Sequence, residues 1–243
     1  HIEVQVLGDK YGNIVHLYER DCSIQRRHQK VVEFSPALTI TEEQRQAMCD
    51  DAIKLAKHVN YRSAGTVEFL DKHGSHYFIE MNPRIQVEHT VSEMVTGIDI
   101  VQSQILIAEG YPLDSDEVGI PNQDAVVPRG AAIQCRITTE DPTNAFAPDT
   151  GKIEFYATGS GNGIRLDGGN AYTGATISPY YDSLLGKLAV FAGTREEALR
   201  KMRAALCELV IAGIPTNIEE QLHIVEDERF TSGNYNLTFM GNR

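Results

Sequence analysis

Glu68 and Glu80 are equidistant from Gly74, and the residues around them could hold a metal ion. Two alternating apolar runs, Gly65-Thr-Val-Glu-Phe-Leu and Tyr77-Phe-Ile-Glu-Met-Asn, flank the polar segment Asp71-Lys-His-Gly-Ser-His. This pattern predicts a β-hairpin. If Gly74 centres the turn, the two carboxylates face each other across the strand pair. Like charges directly opposite are destabilising, and a hard divalent cation would compensate them. Magnesium takes one or two carboxylates together with substrate phosphate oxygens. Asn82 lies two residues past Glu80, shares its face and adds an oxygen. Arg84, Gln86, Glu88 and His89 follow at once. A solvated hairpin would account for two glutamates alone. Asn82, Arg84 and Glu88 beside them favour a site.

A second polar stretch, Glu19-Arg-Asp-Cys-Ser-Ile-Gln-Arg-Arg-His-Gln-Lys30, follows a predicted strand and reads by itself as a solvated loop or a phosphate site. Gly159-Ser-Gly-Asn-Gly163 lacks the G-x-G-x-x-G spacing and reads as a flexible turn.

The elements that must position these residues are legible in outline. Ile2–Leu7 alternates, with Ile2, Val4 and Val6 on one face and Glu3, Gln5 and Leu7 on the other. A turn at 8–13 returns the chain into a strand from Ile14 to Glu19. Thr41-Glu-Glu-Gln44 is a capping box and predicts a helix from about Glu42 to His58. Val91 to Glu109 reads as one helix stopped by Gly110. Residues 111–130 carry Pro112, Pro121 and Pro128 and read as a linker. Strands are expected at 131–138, 152–157, 163–167 and 184–191. A second capping box, Thr194-Arg-Glu-Glu197, opens a helix running to Gly213 with Leu199, Met202, Leu206 and Leu209 on one face. Asn217 is expected to cap a last helix to about Glu228. Strands and helices without a strict βαβα rhythm favour an α+β fold.

The chain has 243 residues and a formal net charge of −12, which argues against nucleic acid as a partner. Cys22, Cys49, Cys135 and Cys207 form no C-x-x-C pair and read as reduced cysteines of an intracellular protein. No apolar run is long enough for a membrane, and no signal peptide is visible. His1 opens directly into a strand pattern, so the sequence is read as a piece of a longer polypeptide.

Glu80-Met-Asn-Pro-Arg-Ile-Gln-Val-Glu-His89 resembles the signature of biotin carboxylases, enzymes of the ATP-grasp type that use ATP and bicarbonate to carboxylate biotin. The resemblance runs from His1 to about Phe239. It implies the C-terminal half of an ATP-grasp domain at 1–110, with an antiparallel sheet and flanking helices. A linker at 111–130 and a biotin carboxylase C-terminal domain at 131–243 would follow. It implies ATP with Mg²⁺ or Mn²⁺, bicarbonate, and biotin on a carrier domain. It also implies N-terminal and lid domains of the same polypeptide and a homodimer. With the lid's phosphate contacts outside these residues, the isolated chain is expected to fold but to turn over no ATP.

Residue by residue, the resemblance places His1, Gln25, His28, Glu68, Leu70, Glu80 and Leu237 at the nucleotide, with Glu68, Glu80 and Asn82 on the metal. Lys30, Arg84, Gln86 and Val87 would hold bicarbonate, for which a guanidinium fork is the natural partner. Glu88 would remove the bicarbonate proton; a salt bridge with an arginine is its structural alternative. Arg136, in Ile133-Gln-Cys-Arg-Ile-Thr-Thr-Glu-Asp-Pro, would stabilise the enolate-like ureido oxygen of biotin, or else pair with Glu140 or Asp141. Arg165 would lie at or near a dimer contact. Thr138-Thr-Glu-Asp-Pro, Arg165-Leu-Asp-Gly and Ile177-Ser-Pro-Tyr-Tyr-Asp look more like the pyruvate-carboxylating branch of the family than the acyl-CoA branch, with a role in gluconeogenesis and anaplerosis. A cytoplasmic location is expected, or the mitochondrial matrix in a eukaryote. Another ATP-grasp ligase and a non-catalytic assembly module remain as alternatives.

Overall fold

Strand β1 (Ile2–Gly8) is buried along its whole length, its polar residues included. It sits inside the first of two units into which the computed structural model divides: 1–23 with 33–132, and 24–32 with 133 onward. The structure describes residues 1–141, 144–169 and 171–242. With β2 (Ile14–Arg26), β3 (Gln29–Ser35), β4 (Ser63–Lys72) and β5 (Ser75–Asn82), the strand order in the first unit is β3-β2-β1-β4-β5. The β1–β2, β1–β4 and β4–β5 pairs are antiparallel.

Helix α1 (Glu42–His58) starts at the predicted box, where Thr41 Oγ1 accepts from the Gln44 amide and Gln44 Oε1 from the Thr41 amide. Its Met48, Cys49, Ala52 and Ala56 pack on Ile2, Val4, Val6, Val67 and Phe69, which fill one face of the sheet. The other face is apolar at one end only. There Leu7 and Ala64 meet Ile100 and Ile107 of α3 (Ile100–Glu109). Leu113, Ile120 and Val126 join this cluster, so the segment read as a linker packs into the core of the first unit. At the other end of the same face stand Glu3, Gln5, Thr66 and Glu68, all buried.

Two expectations change here. The polar stretch from Glu19 continues β2 as far as Arg26 rather than forming a loop. Arg27 (φ 52) and His28 (φ 64) then turn the chain into β3, left-handed values that suit a two-residue hairpin turn. The expected single helix at 91–109 is two, α2 (His89–Thr96) and α3. Gly97 closes α2 at φ 73, and Asp99 Oδ1 caps α3 by accepting from the Gln102 amide at 2.8 Å. Glu93 Oε1 takes the Ile100 amide at 2.7 Å. Apolar residues continue on both sides of this break: α2 is buried nearly all round, and α3 buries Ile100, Ser103 and Ile107.

In the second unit β6 (Ala131–Thr138), β11 (Ile164–Gly168) and β13 (Leu184–Ala192) give the order β11-β13-β6-β3. Three small pairs surround them: β7 (Glu140–Asp141) with β8 (Ala147–Pro148), β9 (Gly151–Lys152) with β12 (Thr176–Ile177), and β10 (Phe155–Ala157) with β14 (Val210–Ala212). The expected strand at 152–157 is thus split between β9 and β10, because Ile153 turns into the core and donates its amide to Ala175. Helix α4 (Arg195–Glu208) opens at its predicted box but ends five residues early, since Val210–Ala212 pair as β14. The last helix is also two, α5 (Ile218–Glu226) and α6 (Glu228–Ser232). Asn217 does not cap α5. Its side chain accepts from the Thr138 amide and donates to the Arg136 carbonyl, both at 2.9 Å, tying the helix start to β6.

Gly213 follows β14 with φ 99, and a Cβ there would lie 2.4 Å from the Lys152 carbonyl oxygen. Gly213→Ala is expected to destabilise the second unit by on the order of 2 kcal/mol or more, from strained backbone and overpacking together. Chemical denaturation reads this as a lowered midpoint.

Candidate functional site

The register of the first unit places a row of charged residues across four strands. Arg20 on β2 is directly opposite Glu3 on β1, Glu3 is opposite Glu68 on β4, and Glu68 is opposite Glu80 on β5. The next row pairs Gln5 with Thr66 and Thr66 with Asn82. The facing of Glu68 and Glu80 arises by a different route from a turn centred on Gly74. The turn has two residues, His73 (φ 53) and Gly74 (φ 86), and pairs Lys72 with Ser75. Continued regularly, that register would set Glu68 opposite Ile79. A bulge at Ile79 adds one residue to β5 and brings Glu80 into place.

Glu68 is 5% exposed and meets three side chains. Its Oε1 accepts from Asn82 Nδ2 and Gln86 Nε2, and its Oε2 meets His1 Nε2, all at 2.8 Å. Asn82 Nδ2 also reaches Glu80 Oε1 at 3.1 Å, so one amide spans both carboxylates. Glu80 itself is exposed. Leu70 falls on the Glu68 face of β4 by alternation and is 38% exposed. The fold therefore gathers His1, Glu68, Glu80, Asn82 and Gln86.

Beyond β5 the chain runs through Arg84, which is exposed with Nη1 donating to the Ile85 carbonyl at 3.1 Å. Val87 is half-buried. Glu88 is 2% exposed at the N-cap position of α2, where its carboxylate makes no capping bond to the helix. Its charge bears instead on the buried guanidinium of Arg20.

Sequence reasoning missed Glu3 and Arg20. Both are fully buried and form an ion pair at 3.2 Å. His1, Glu3 and Glu68 offer ligand atoms within 4.8 Å of one another, as do Glu3, Cys22 and Glu88. Burial opposes the charge on Arg20, but the carboxylates of Glu3 and Glu88 outweigh it, and the guanidinium is held above its ordinary pKa. A signal was present in the sequence: Glu3 and Gln5 fall on one face of a strand whose other face is wholly apolar.

The remaining expected residues belong to the second unit. Gln25 and Lys30 are half-buried on β2 and β3, and His28 is exposed in the turn between them. Arg26 pairs with Glu140 and lies over the Phe146 ring at 3.7 Å. Arg136 is half-buried on β6, and its carbonyl accepts from Asn217 and Gln221. Leu237 is 42% exposed. Arg165 forks onto Asp167, with Nε to Oδ1 at 2.7 Å and Nη2 to Oδ2 at 2.8 Å.

The donor set around Glu68 and Glu80 suits a hard cation. It is rich in carboxylate oxygen, and rotating the Asn82 amide would turn a third oxygen toward the pair. Two facing carboxylates with one amide between them gain most from a divalent charge.

Two family models match this chain. The carbamoyl-phosphate synthase L chain ATP-binding domain matches residues 1–116, and the biotin carboxylase C-terminal domain matches 134–242. The chain belongs to the biotin carboxylase family. It is 56% identical to a pyruvate carboxylase of Bacillus subtilis over 240 residues, 99% of this chain and 21% of that protein. It is 52% identical to the mitochondrial pyruvate carboxylase of Mus musculus over 241 residues. The chain thus spans about a fifth of the length of these relatives. Among solved structures, a complete multifunctional pyruvate carboxylase from Rhizobium etli superposes with TM-score 0.97 at 49% identity, covering 100% of this chain and 24% of that one. The biotin carboxylase domain dimer of the Hydrogenobacter thermophilus 2-oxoglutarate carboxylase, solved with MgADP and bicarbonate, gives TM-score 0.94 at 48% identity, covering 99% of this chain and 52% of that one. Among the described residues no helix is long and apolar enough to cross a membrane.

Proposed function

We propose that this chain supplies the metal-holding and bicarbonate-holding part of a biotin carboxylase, within a pyruvate carboxylase that makes oxaloacetate. The observation that carries the reading is the facing pair Glu68–Glu80 bridged by Asn82, with Gln86 bonded to the same carboxylate. The likeness to a domain solved with MgADP and bicarbonate supports it.

Glu68, Glu80 and Asn82 would hold Mg²⁺. When bound, that ion supplies charge neutralisation at the phosphates of ATP. Arg84, Gln86 and the Val87 amide cradle bicarbonate, and Glu88 takes its proton, so that an oxygen attacks the γ-phosphorus. ADP leaves, and carboxyphosphate forms. In this reading Lys30 bears on the transferred phosphoryl group as a point charge. Gln25, His28 and His1 serve the nucleotide, with Leu70 and Leu237 against its base. Carboxyphosphate yields carbon dioxide and phosphate, phosphate removes the ureido proton of biotin, and the nitrogen attacks carbon dioxide. Arg136 stabilises the charge that develops on the ureido oxygen. A biotin carrier domain, a lid and a homodimer belong to the same reading, as does a bacterial cytoplasm or a mitochondrial matrix.

The test is ATP cleavage by the protein that carries this chain, with magnesium and free biotin. Saturable dependence on bicarbonate is expected. Cleavage that ignores bicarbonate and responds to an amino acid would favour another ATP-grasp ligase.

A further inference from the structure

Arg20 donates to five side chains from four stretches of the first unit. Nη1 reaches Gln5 Oε1 at 2.6 Å and Ser92 Oγ at 3.0 Å. Nη2 reaches Gln86 Oε1 at 2.8 Å, with Glu3 Oε2 and Thr66 Oγ1 both at 3.2 Å. One of these contacts has a chemical consequence that the others lack. A guanidinium has donors only. Gln86 must therefore turn its carbonyl oxygen to Arg20, which fixes its NH2 on the far side. That NH2 donates to Glu68 Oε1 at 2.8 Å. Gln86 is 4% exposed, so its amide is set by these partners and not by water. An amide flipped the other way would aim its oxygen at the Glu68 carboxylate and at any anion beside it.

We propose that Arg20 is the positioning residue of the anion cradle, holding the Gln86 amide with its NH2 toward the anion and so setting affinity for bicarbonate. The proposal rests on the biotin carboxylase reading above and adds to it a residue remote from the signature motif. Of the two amide hydrogens, one bonds Glu68 and the other is offered to the planar anion. Because Glu68 is also a proposed metal ligand, the line Arg20–Gln86–Glu68 links the anion cradle to the metal position through two hydrogen bonds. Lysine cannot replace the fork, since a point charge does not hold Gln86, Glu3 and Gln5 at once.

The experiment measures steady-state ATP cleavage by the protein that carries this chain, unaltered and as Arg20→Lys, Gln86→Ala and the double variant. Bicarbonate is varied at saturating MgATP, and MgATP at saturating bicarbonate. Each single variant is expected to raise KM for bicarbonate by roughly 10-fold, with a smaller effect on KM for MgATP. The double variant should be no worse in KM for bicarbonate than Gln86→Ala alone, because Arg20 acts through Gln86. Multiplying effects in the double variant would overturn the proposal. So would an Arg20→Lys protein that loses thermal stability or kcat while keeping its KM for bicarbonate. Should Arg20→Lys not fold, the same comparison uses Glu3→Gln/Arg20→Gln, which removes both charges of the buried pair together. A failure of the functional reading itself is distinguishable, since bicarbonate dependence would then be missing from the unaltered protein.

Discussion

Glu68→Gln and Glu80→Gln are each expected to lower bicarbonate-dependent ATP cleavage by on the order of 10²-fold or more, the scale seen when transition-state charge loses a partner. The two changes should differ in their effect on stability. Glu80 is exposed, and its carboxylate stands opposite another one, so Glu80→Gln relieves repulsion and should leave the melting temperature unchanged or raised. Glu68 is buried and meets three side-chain partners, so Gln there turns one amide group toward a donor and should lower it. The measurements are turnover across a magnesium titration and thermal unfolding of the same samples. Near-normal turnover at saturating magnesium would remove this pair from the metal site.

Arg136→Ala is expected to separate the two half-reactions. Carboxylation of free biotin should fall by on the order of 10²-fold, as for loss of a donor at a developing oxyanion, while bicarbonate-dependent ATP cleavage falls far less. Asn217 and Gln221 bond the backbone carbonyl of residue 136, so these two hydrogen bonds survive the substitution. Both activities are measured on one preparation. Equal losses would mean that Arg136 serves the nucleotide or the structure.

Where local chemistry dictates structure, the sequence could be read closely. Helix α1 starts where predicted because a capping box is a local signal. The facing of Glu68 and Glu80 was also legible, although the turn and the bulge that produce it were not. Binary patterning failed along β2. Glu19, Arg20 and Asp21 read as solvated, yet they are buried against Arg45, Glu3 and Thr39, and polar strands of this kind carry no alternation to detect. The α2–α3 break was missed for the opposite reason. Apolar spacing persists on both sides of Gly97, and the Asp99 cap that restarts the helix was overlooked. Arg20 could not have been placed beside Gln86 from sequence, since 66 positions separate them and only the sheet brings them together.

The extra residue at Ile79 has a consequence for what β5 can join. This strand is the last in its sheet and exposes Tyr77, Phe78 and Ile79, a run that would invite an incoming strand from another molecule. A bulge spoils that invitation. It coils the border and interrupts the regular ladder of amide and carbonyl groups that a flat partner would need. The same irregularity that aligns Glu80 with Glu68 thus guards the rim beside them against strand-on-strand aggregation.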